Sequence, residues 1–373
     1  MDFSVLIPTF NRRRDLLRTL AAYEAQRPAT LGFEVVVIDD GSRDGTAEAL
    51  AAYRSRRFPL RFRSQRNAGP ARARNRGLDL ARAPRILITG DDIEPKPDLL
   101  ARHLEAHRRA GEEQVAIVGL TRWPKPSAEE PVTATMRHVD GPGAQQFSYR
   151  YFEDGAEYDF RHFYTSNISL RRSLIDREPA GFATAFPAAA FEDAELGHRL
   201  AYHGMRILYC QSAVAEHHHV YTASAFYRRQ VRCGEMGALL FTRNPELGRW
   251  LPYGRLQNLR VDLLRASGER RAAHADLMER LDETTERALR LAERLDTMGA
   301  PGLDPLLSAL FELGFVRGFG HGLFGDRASR RLAAATLASK VGPAARLVGE
   351  ALEQVRWPRA LSDLAVLESM PER

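Results

Sequence analysis

Short, almost wholly apolar runs recur early in the chain: FSVLI at 3–7, FEVVVI at 33–38, RILIT at 85–89 and VAIVG at 115–119. None alternates cleanly with polar residues, which is the pattern of strands buried on both faces. Helix-like stretches separate them, at Arg13 to Ala25, Thr46 to Tyr53 and Pro70 to Ala81. Strand, helix, strand in this order predicts an α/β fold with a mostly parallel sheet and helices on both faces. Open sheets of that kind bind ligands at the carboxyl ends of their strands, beside a switch in strand order. The strand ends are therefore where function is to be sought.

Three of them carry polar residues: PTFNR (Pro8 to Arg12), DDGS (Asp39 to Ser42) and GDD (Gly90 to Asp92). Proline, glycine and aspartate are also what turns are made of, and Gly41 and Gly45 in DDGSRDGT suit tight geometry. One such turn means little; three on one sheet edge point to a ligand. ILITGDDIEP is the sharpest case, since it ends a buried strand on the adjacent carboxylates Asp91 and Asp92. Two such charges repel and are costly to bury unless a cation lies between them. An aspartate-rich turn and a metal site both remain open on the residues alone.

Composition removes other classes. The net charge is +6, but there are only three lysines, Lys96, Lys125 and Lys340. An arginine bias of genomic origin gives the same balance, so the charge supports a phosphate-bearing ligand or an anionic surface and no nucleic-acid role. Cys210 and Cys233 make neither a disulfide framework nor a CxxC metal motif. No GxGxxG follows the first strand, which argues against a dehydrogenase, and no glycine- and lysine-rich phosphate loop speaks for a nucleotidyltransferase. The most apolar stretch, LDPLLSALFELGFVRGFGHGLFG, is interrupted by Glu312, Arg317 and His321. The chain is expected in the cytoplasm, at most peripheral at the inner face of a membrane.

In order along the chain stand SVLIPTFNR, VVVIDDGSRDGT, RNAGPARARNRGL, ILITGDDIEPKPDLL, SNISLRRSL and FEDAELGHRL. With them the sequence resembles the family-2 inverting glycosyltransferases of GT-A fold, non-processive and bacterial in type, over roughly residues 3 to 220. The resemblance implies a catalytic domain over 1–240 and a helical region over 241–373. It implies hexosyl transfer from a nucleotide-diphosphate sugar, UDP first and dTDP second, to a hydroxyl of a glycan, lipid-linked or other acceptor. The cofactor implied is a divalent cation, Mn2+ or Mg2+, whose Lewis acidity stabilises the departing diphosphate.

By the same resemblance Asp92 is the metal ligand, and Asp91 reaches the ribose or a metal-bound water. Gly90 departs from the family's aspartate–any–aspartate motif. His217 in AEHHH is then a second ligand, with His219 next in line. Asp40 would accept a hydrogen bond from the nucleobase, with Pro8, Thr9, Asn11 and Arg12 lining its pocket. Asn67 and Arg74 would meet the donor; Arg66 and Arg72 compete with Arg74 for the phosphates. In FEDAELGHRL, Asp193 would be the general base, Glu192 its support and Glu195 a control. An acidic first turn of a helix explains the same residues. The alternative is an inactive nucleotide-binding scaffold of a glycan-assembly complex, against which Asp92 and Asp193 both speak.

For the aromatic residues Trp123, Phe147, Tyr149, Tyr151, Phe152 and Tyr158 the resemblance implies a role in shaping the acceptor site, and core packing explains several of them equally well. Further on, Leu277, Leu281, Thr284, Ala288, Leu291, Leu295 and Met298 form a heptad-type seam, open to packing on the chain itself or to a homodimer. The later arginine-rich helices suit an anionic membrane surface. ELGRW (Glu246 to Trp250) begins with glutamate where processive synthases carry glutamine, so transfer of one or a few sugars is expected.

Overall fold

In a computed structural model, which describes residues 1–111, 113–125, 133–140, 149–249, 285–297 and 302–324, the apolar runs become strands of one nine-stranded sheet. The first elements are β1 (Phe3–Thr9), α1 (Arg13–Glu24), β2 (Phe33–Asp39), α2 (Thr46–Ala52), β3 (Leu60–Ser64), α3 (Pro70–Leu80) and β4 (Arg85–Thr89). Their strands lie in the order β3-β2-β1-β4, all parallel, so the chain reverses its direction of travel across the sheet at β1. Alternate residues of the central strands serve two cores. Val5, Ile7, Val35 and Val37 pack with Leu16 and Leu20 of α1 on one face. Leu6, Val36 and Ile38 pack with Ala71 and Ala73 of α3 on the other. Gly77 lets α3 come close, since a Cβ there would lie 1.9 Å from Leu6 Cδ1.

The sheet continues through β5 (Ile93–Pro95), α4 (Leu99–Ala110), β6 (Val115–Arg122), α5 (Ala134–Asp140), β7 (Glu157–Tyr158), β8 (Asn167–Arg171), α6 (Arg172–Ile175), α7 (Glu192–Tyr202) and β9 (Arg206–His217). Here the order is β4-β8-β6-β9-β5, with β7 on β9. Four of the eight strand pairs are parallel and four antiparallel, so the sheet is mixed and its parallel character is strongest in the N-terminal half. β5 and β7 are too short to carry a pattern. β3 alternates leucine and phenylalanine with arginine, as an edge strand facing water does.

The chain divides into two compact units, Met1–Lys125 with Ser148–His219, and Pro126–Phe147 with Val220–Arg373. The helix α8 (Ala223–Arg243) groups with the second unit, not with residues 1–219 as a boundary at 240 would have it. That unit also holds α9 (285–297) and α10 (Asp304–Phe324). α8 and α10 touch through glycines: a Cβ on Gly318 would sit 1.8 Å from Val231 O. On α9 the seam residues Ala288, Leu291 and Leu295 are buried. The same helix's Asp296 accepts the backbone N–H groups of Ala134 and Thr135 on α5, so this stretch packs within its own unit. Leu277, Leu281, Thr284 and Met298 lie outside the described residues, as do Phe147 and Trp250. No helix among the described residues is long and apolar enough to cross a membrane.

Gly318→Ala is expected to cost about 1–3 kcal/mol, because the added methyl forces the two helices apart; helical circular dichroism during urea unfolding measures it. A second expectation concerns His103 and His107 of α4, both wholly buried. Loss of water pushes His103 down to about 4. The same loss, then the charges of His103, Arg85 and Arg171, pushes His107 down to about 3. Unfolded, each takes a proton near pH 6.5; folded, each resists it. Stability is therefore full above about pH 6.5 and falls by about 1.4 kcal/mol per pH unit per histidine below it. Melting temperature should drop between about pH 6.5 and pH 5, and His107→Gln should flatten that slope; an unchanged slope refutes the assignment.

Candidate active site

β4 runs into Gly90, Asp91 and Asp92, and β5 then pairs antiparallel with the end of β9, Ile93 lying opposite His217. The register brings nitrogen to the second carboxylate. Asp92 Oδ2 lies 2.7 Å from Arg12 Nη1, 3.2 Å from His217 Nε2 and 3.4 Å from His219 Nδ1. One ligand atom each from Asp92, His217 and His219 falls within 4.8 Å of the others. Arg12 also donates from Nε to Asp15 (3.2 Å), and its Nη2 lies 2.9 Å from His219 Nδ1. Trp123 closes this side, with its ring 5.1 Å from that of His217 and its Nε1 donating to His219 O at 3.0 Å.

The adjacent carboxylates differ in state. Asp91 accepts from Thr9 Oγ1 at 2.7 Å, and its backbone carbonyl from Thr19 Oγ1 at 2.9 Å. Burial, then the charge of Asp92, pushes Asp91 up to about 7. Burial acts on Asp92 too, but His217, His219 and Arg12 outweigh it and hold that carboxyl well below the usual range. One aspartate keeps its proton close to neutrality and the other is an anion among nitrogens. Arg12, expected in the nucleobase pocket, sits instead in this cluster.

At the ends of β1 and β2 the polar residues tie loops together. Asp40 is 4% exposed and accepts from Gln65 Nε2 (2.7 Å), Ala68 N (2.9 Å) and Gly69 N (2.9 Å). It thus braces the loop that leads into α3. Of the roughly four lone pairs of a carboxylate, about three are taken and one is left. Asn11, with φ of 54°, binds Ser42 Oγ through its N–H (2.8 Å) and accepts from Arg43 N at Oδ1 (2.7 Å). Pro8 is half-buried, and Arg66, Asn67 and Arg72 are exposed. Phe10, between Thr9 and Asn11, leaves 45% of its surface in solvent.

The third group opens α7. Phe191 is left-handed at φ 65°, a conformation that costs a side chain about 1–3 kcal/mol and gathers at functional sites. Next to it Glu192 is buried and meets Arg74 Nη1 at 2.6 Å, while the Arg74 guanidinium lies 5.2 Å over the Phe182 ring. Arg74 is therefore engaged by Glu192; its Nε and Glu192 Oε2 remain buried with no hydrogen-bond partner. Asp193 is half-buried and accepts from Ala194 N at 2.8 Å. Loss of water around it, then the charge of Glu192, pushes it up to about 7. Glu195 is held by both forks of Arg199, at 2.9 and 2.8 Å, which makes it a structural residue.

Of the aromatic residues expected around an acceptor, Phe152 stacks on Tyr158 at 4.0 Å and packs against Tyr149, Tyr164, Tyr209 and His162. They form a packed cluster, and Tyr151 stands out of it at 69% exposure. Sequence reasoning missed the place of Arg12, whose partners Asp92 and His219 are 80 and 207 residues away. It missed Gln65 and Phe10 as well. Phe10 sits inside a motif already in view, and its exposure is a property of the fold.

A half-sheet in β3-β2-β1-β4 order, with carboxylates gathered at its strand ends and a helical region following it in the chain, defines an α/β glycosyltransferase fold of the GT-A kind. Residues 4–178 match the family described as "Glycosyl transferase family 2", and this part of the chain is a family-2 glycosyltransferase domain. Similar proteins include the "Validoxylamine A glucosyltransferase" of Streptomyces hygroscopicus subsp. jinggangensis (strain 5008), 34% identical over 221 residues, which cover 54% of this chain and 52% of that protein. The "Chondroitin synthase" of Escherichia coli is 27% identical over 240 residues, 57% of this chain and 34% of its own. The chain thus spans about half the length, or less, of these relatives. Among solved structures, the mannosyltransferase PcManGT from Pyrobaculum calidifontis in complex with GDP-Man and Mn2+ is 18% identical, covers 98% of this chain and 84% of that one, and has a TM-score of 0.49.

Arg74→Met should cost about 3–5 kcal/mol, because it leaves Glu192 buried and unpaired. Adding Glu192→Gln should restore most of that loss; chemical unfolding of the two variants decides it.

Proposed function

We propose that this chain is an inverting glycosyltransferase that moves a hexosyl group from a nucleotide-diphosphate sugar, UDP first and dTDP second, to a hydroxyl of a glycan or lipid-linked acceptor. The observation that carries the reading is the convergence of Asp92, His217 and His219 in the unit that also presents Asp193. The name of the validoxylamine A relative supports a hexosyl donor. Asp92, His217 and His219 would hold a divalent cation, whose Lewis acidity, when it is bound, favours departure of the diphosphate. One carboxylate with two imidazoles suits Mn2+ better than Mg2+, which prefers oxygen alone. Catalysis is assigned to the unit Met1–Lys125 with Ser148–His219.

The chain's own residues do the rest. Phe10 offers an exposed ring face to the nucleobase, and the remaining lone pair of Asp40 takes the N–H of uracil or thymine. Thr9 and Asp91 orient the ribose side, and Arg12 places a guanidinium next to Asp92 where phosphate oxygens would come. Asp193 takes the proton of the acceptor hydroxyl. The oxygen then attacks the anomeric carbon from the face opposite the diphosphate, which leaves with the bonding electron pair. Glu192, pinned by Arg74, fixes the turn that presents Asp193.

Thermal shifts with UDP, dTDP, GDP and CMP, with and without Mn2+, test the donor assignment, because ligand binding to the folded state raises the melting temperature. A Mn2+-dependent shift with one diphosphate is expected, and no shift with any of them refutes the reading. Asp193→Asn should slow transfer by about 100- to 10,000-fold while donor binding stays unchanged. With the base at about 7, kcat/KM should fall as pH drops below that value and Asp193 takes up a proton. A flat profile from about pH 8 to pH 6 would remove Asp193 from the role.

A further inference from the structure

Asn167 opens β8, is 1% exposed, and stands outside the residues placed in the reaction above. Its amide is fully used. Nδ2 donates to Ala213 O at 2.9 Å and to Leu120 O at 3.3 Å, and Oδ1 lies 2.9 Å from His103 Nε2. The direction of every bond behind it follows. Only Nδ2 can serve two carbonyls, so Oδ1 is the acceptor and His103 carries its proton on Nε2. Nδ1 of the same ring then accepts from Ser169 Oγ at 2.9 Å, and Ser169 Oγ accepts from His107 Nε2 at 2.8 Å. His107, Ser169, His103 and Asn167 form a one-way chain, buried throughout, that ends on two backbone carbonyls.

Those carbonyls mark the place where β6 and β9 lose register. Gly119 pairs with Cys210, but the next residue, Leu120, pairs with Val214. Gln211, Ser212 and Ala213 therefore bulge out of β9. Asn167 holds both lips of the bulge, Leu120 O on β6 and Ala213 O on β9. Gly119 leaves the room for it: a Cβ there would lie 2.4 Å from Ala213 O and 2.4 Å from Asn167 Nδ2. Without the bulge, His217 would lie three residues further along, about 10 Å at about 3.3 Å per residue. An odd insertion also inverts the face that each following side chain takes. The bulge therefore decides whether His217 meets Asp92.

We propose that Asn167 is a positioning residue for the cation site: by clamping the bulge of β9 it sets where His217 and His219 arrive beside Asp92. The proposal rests on the reading of those three residues as that site.

Calorimetric titration of Mn2+ into the full chain tests it, using wild type, Asp92→Ala, Asn167→Leu, Gly119→Ala and the Asn167→Leu/Gly119→Ala double variant. Each measurement is made at a temperature where circular dichroism shows the variant folded. Wild type should bind and Asp92→Ala should not. Asn167→Leu and Gly119→Ala should each weaken binding by about 10- to 100-fold, as loss of support behind metal ligands does. The double variant should be no weaker than the worse single one, since both break one clamp. A merely stabilising Asn167 would leave the Mn2+ affinity of the folded variant at the wild-type value, and that result overturns the proposal. If Asn167→Leu does not fold, Gly119→Ala decides alone, and wild-type affinity there overturns the proposal equally. A wild type with no affinity for Mn2+ removes the cation reading itself, and the proposal with it.

Discussion

A carboxylate anion buried at the end of a central strand must be compensated, and much of the first unit is arranged around that demand. β4 delivers Asp91 and Asp92 side by side into an environment where each is less than a tenth exposed. Two free charges could not coexist there, and the surroundings separate their states. Burial and the nearby anion suit a protonated Asp91, while a guanidinium and two imidazoles suit an ionised Asp92. Arg12 comes from the end of β1 and the histidines from the end of β9, so the compensation ties strands distant in the sheet to a single point. Removing one partner would leave a buried charge uncompensated, which is far costlier than losing a surface ion pair.

The same logic links the other two groups. Asp40 spends most of its acceptor capacity on the loop before α3. α3 carries Arg74, and Arg74 reaches Glu192 at the start of α7. A run of direct contacts therefore leads from the end of β2 to the turn that presents Asp193. Whatever displaces the loop at 65–69 is felt at Phe191, where the backbone is already strained.

The parallel half of the fold was readable because β1, β2 and β4 are buried on both faces and announce it in apolar runs. The antiparallel half was not, because β5 and β7 are too short to carry a pattern and nothing in the strand segment around Asn167 gives its direction. Asp92, His217 and Asp193 could be picked out from residue types and a family resemblance. What could not be read was which neighbour each would meet. Arg74 looked like one of several arginines able to face phosphate, and its partner lies 118 residues on. The aromatic segment could be read as a binding surface or as core and is largely a packed cluster, since nothing in a row of tyrosines tells an interior from a wall.

The buried chain from His107 to Asn167 has a direction, and direction restricts its history. Ser169, His103 and Asn167 each give and take a hydrogen bond, so exchanging one of these links for a residue that only gives or only takes leaves a buried atom orphaned on one side. Such a row changes as a block or not at all. His103, His107, Asn167 and Ser169 should therefore behave in descent as a single inherited character, spread over α4 and β8 yet read out at the end of β9.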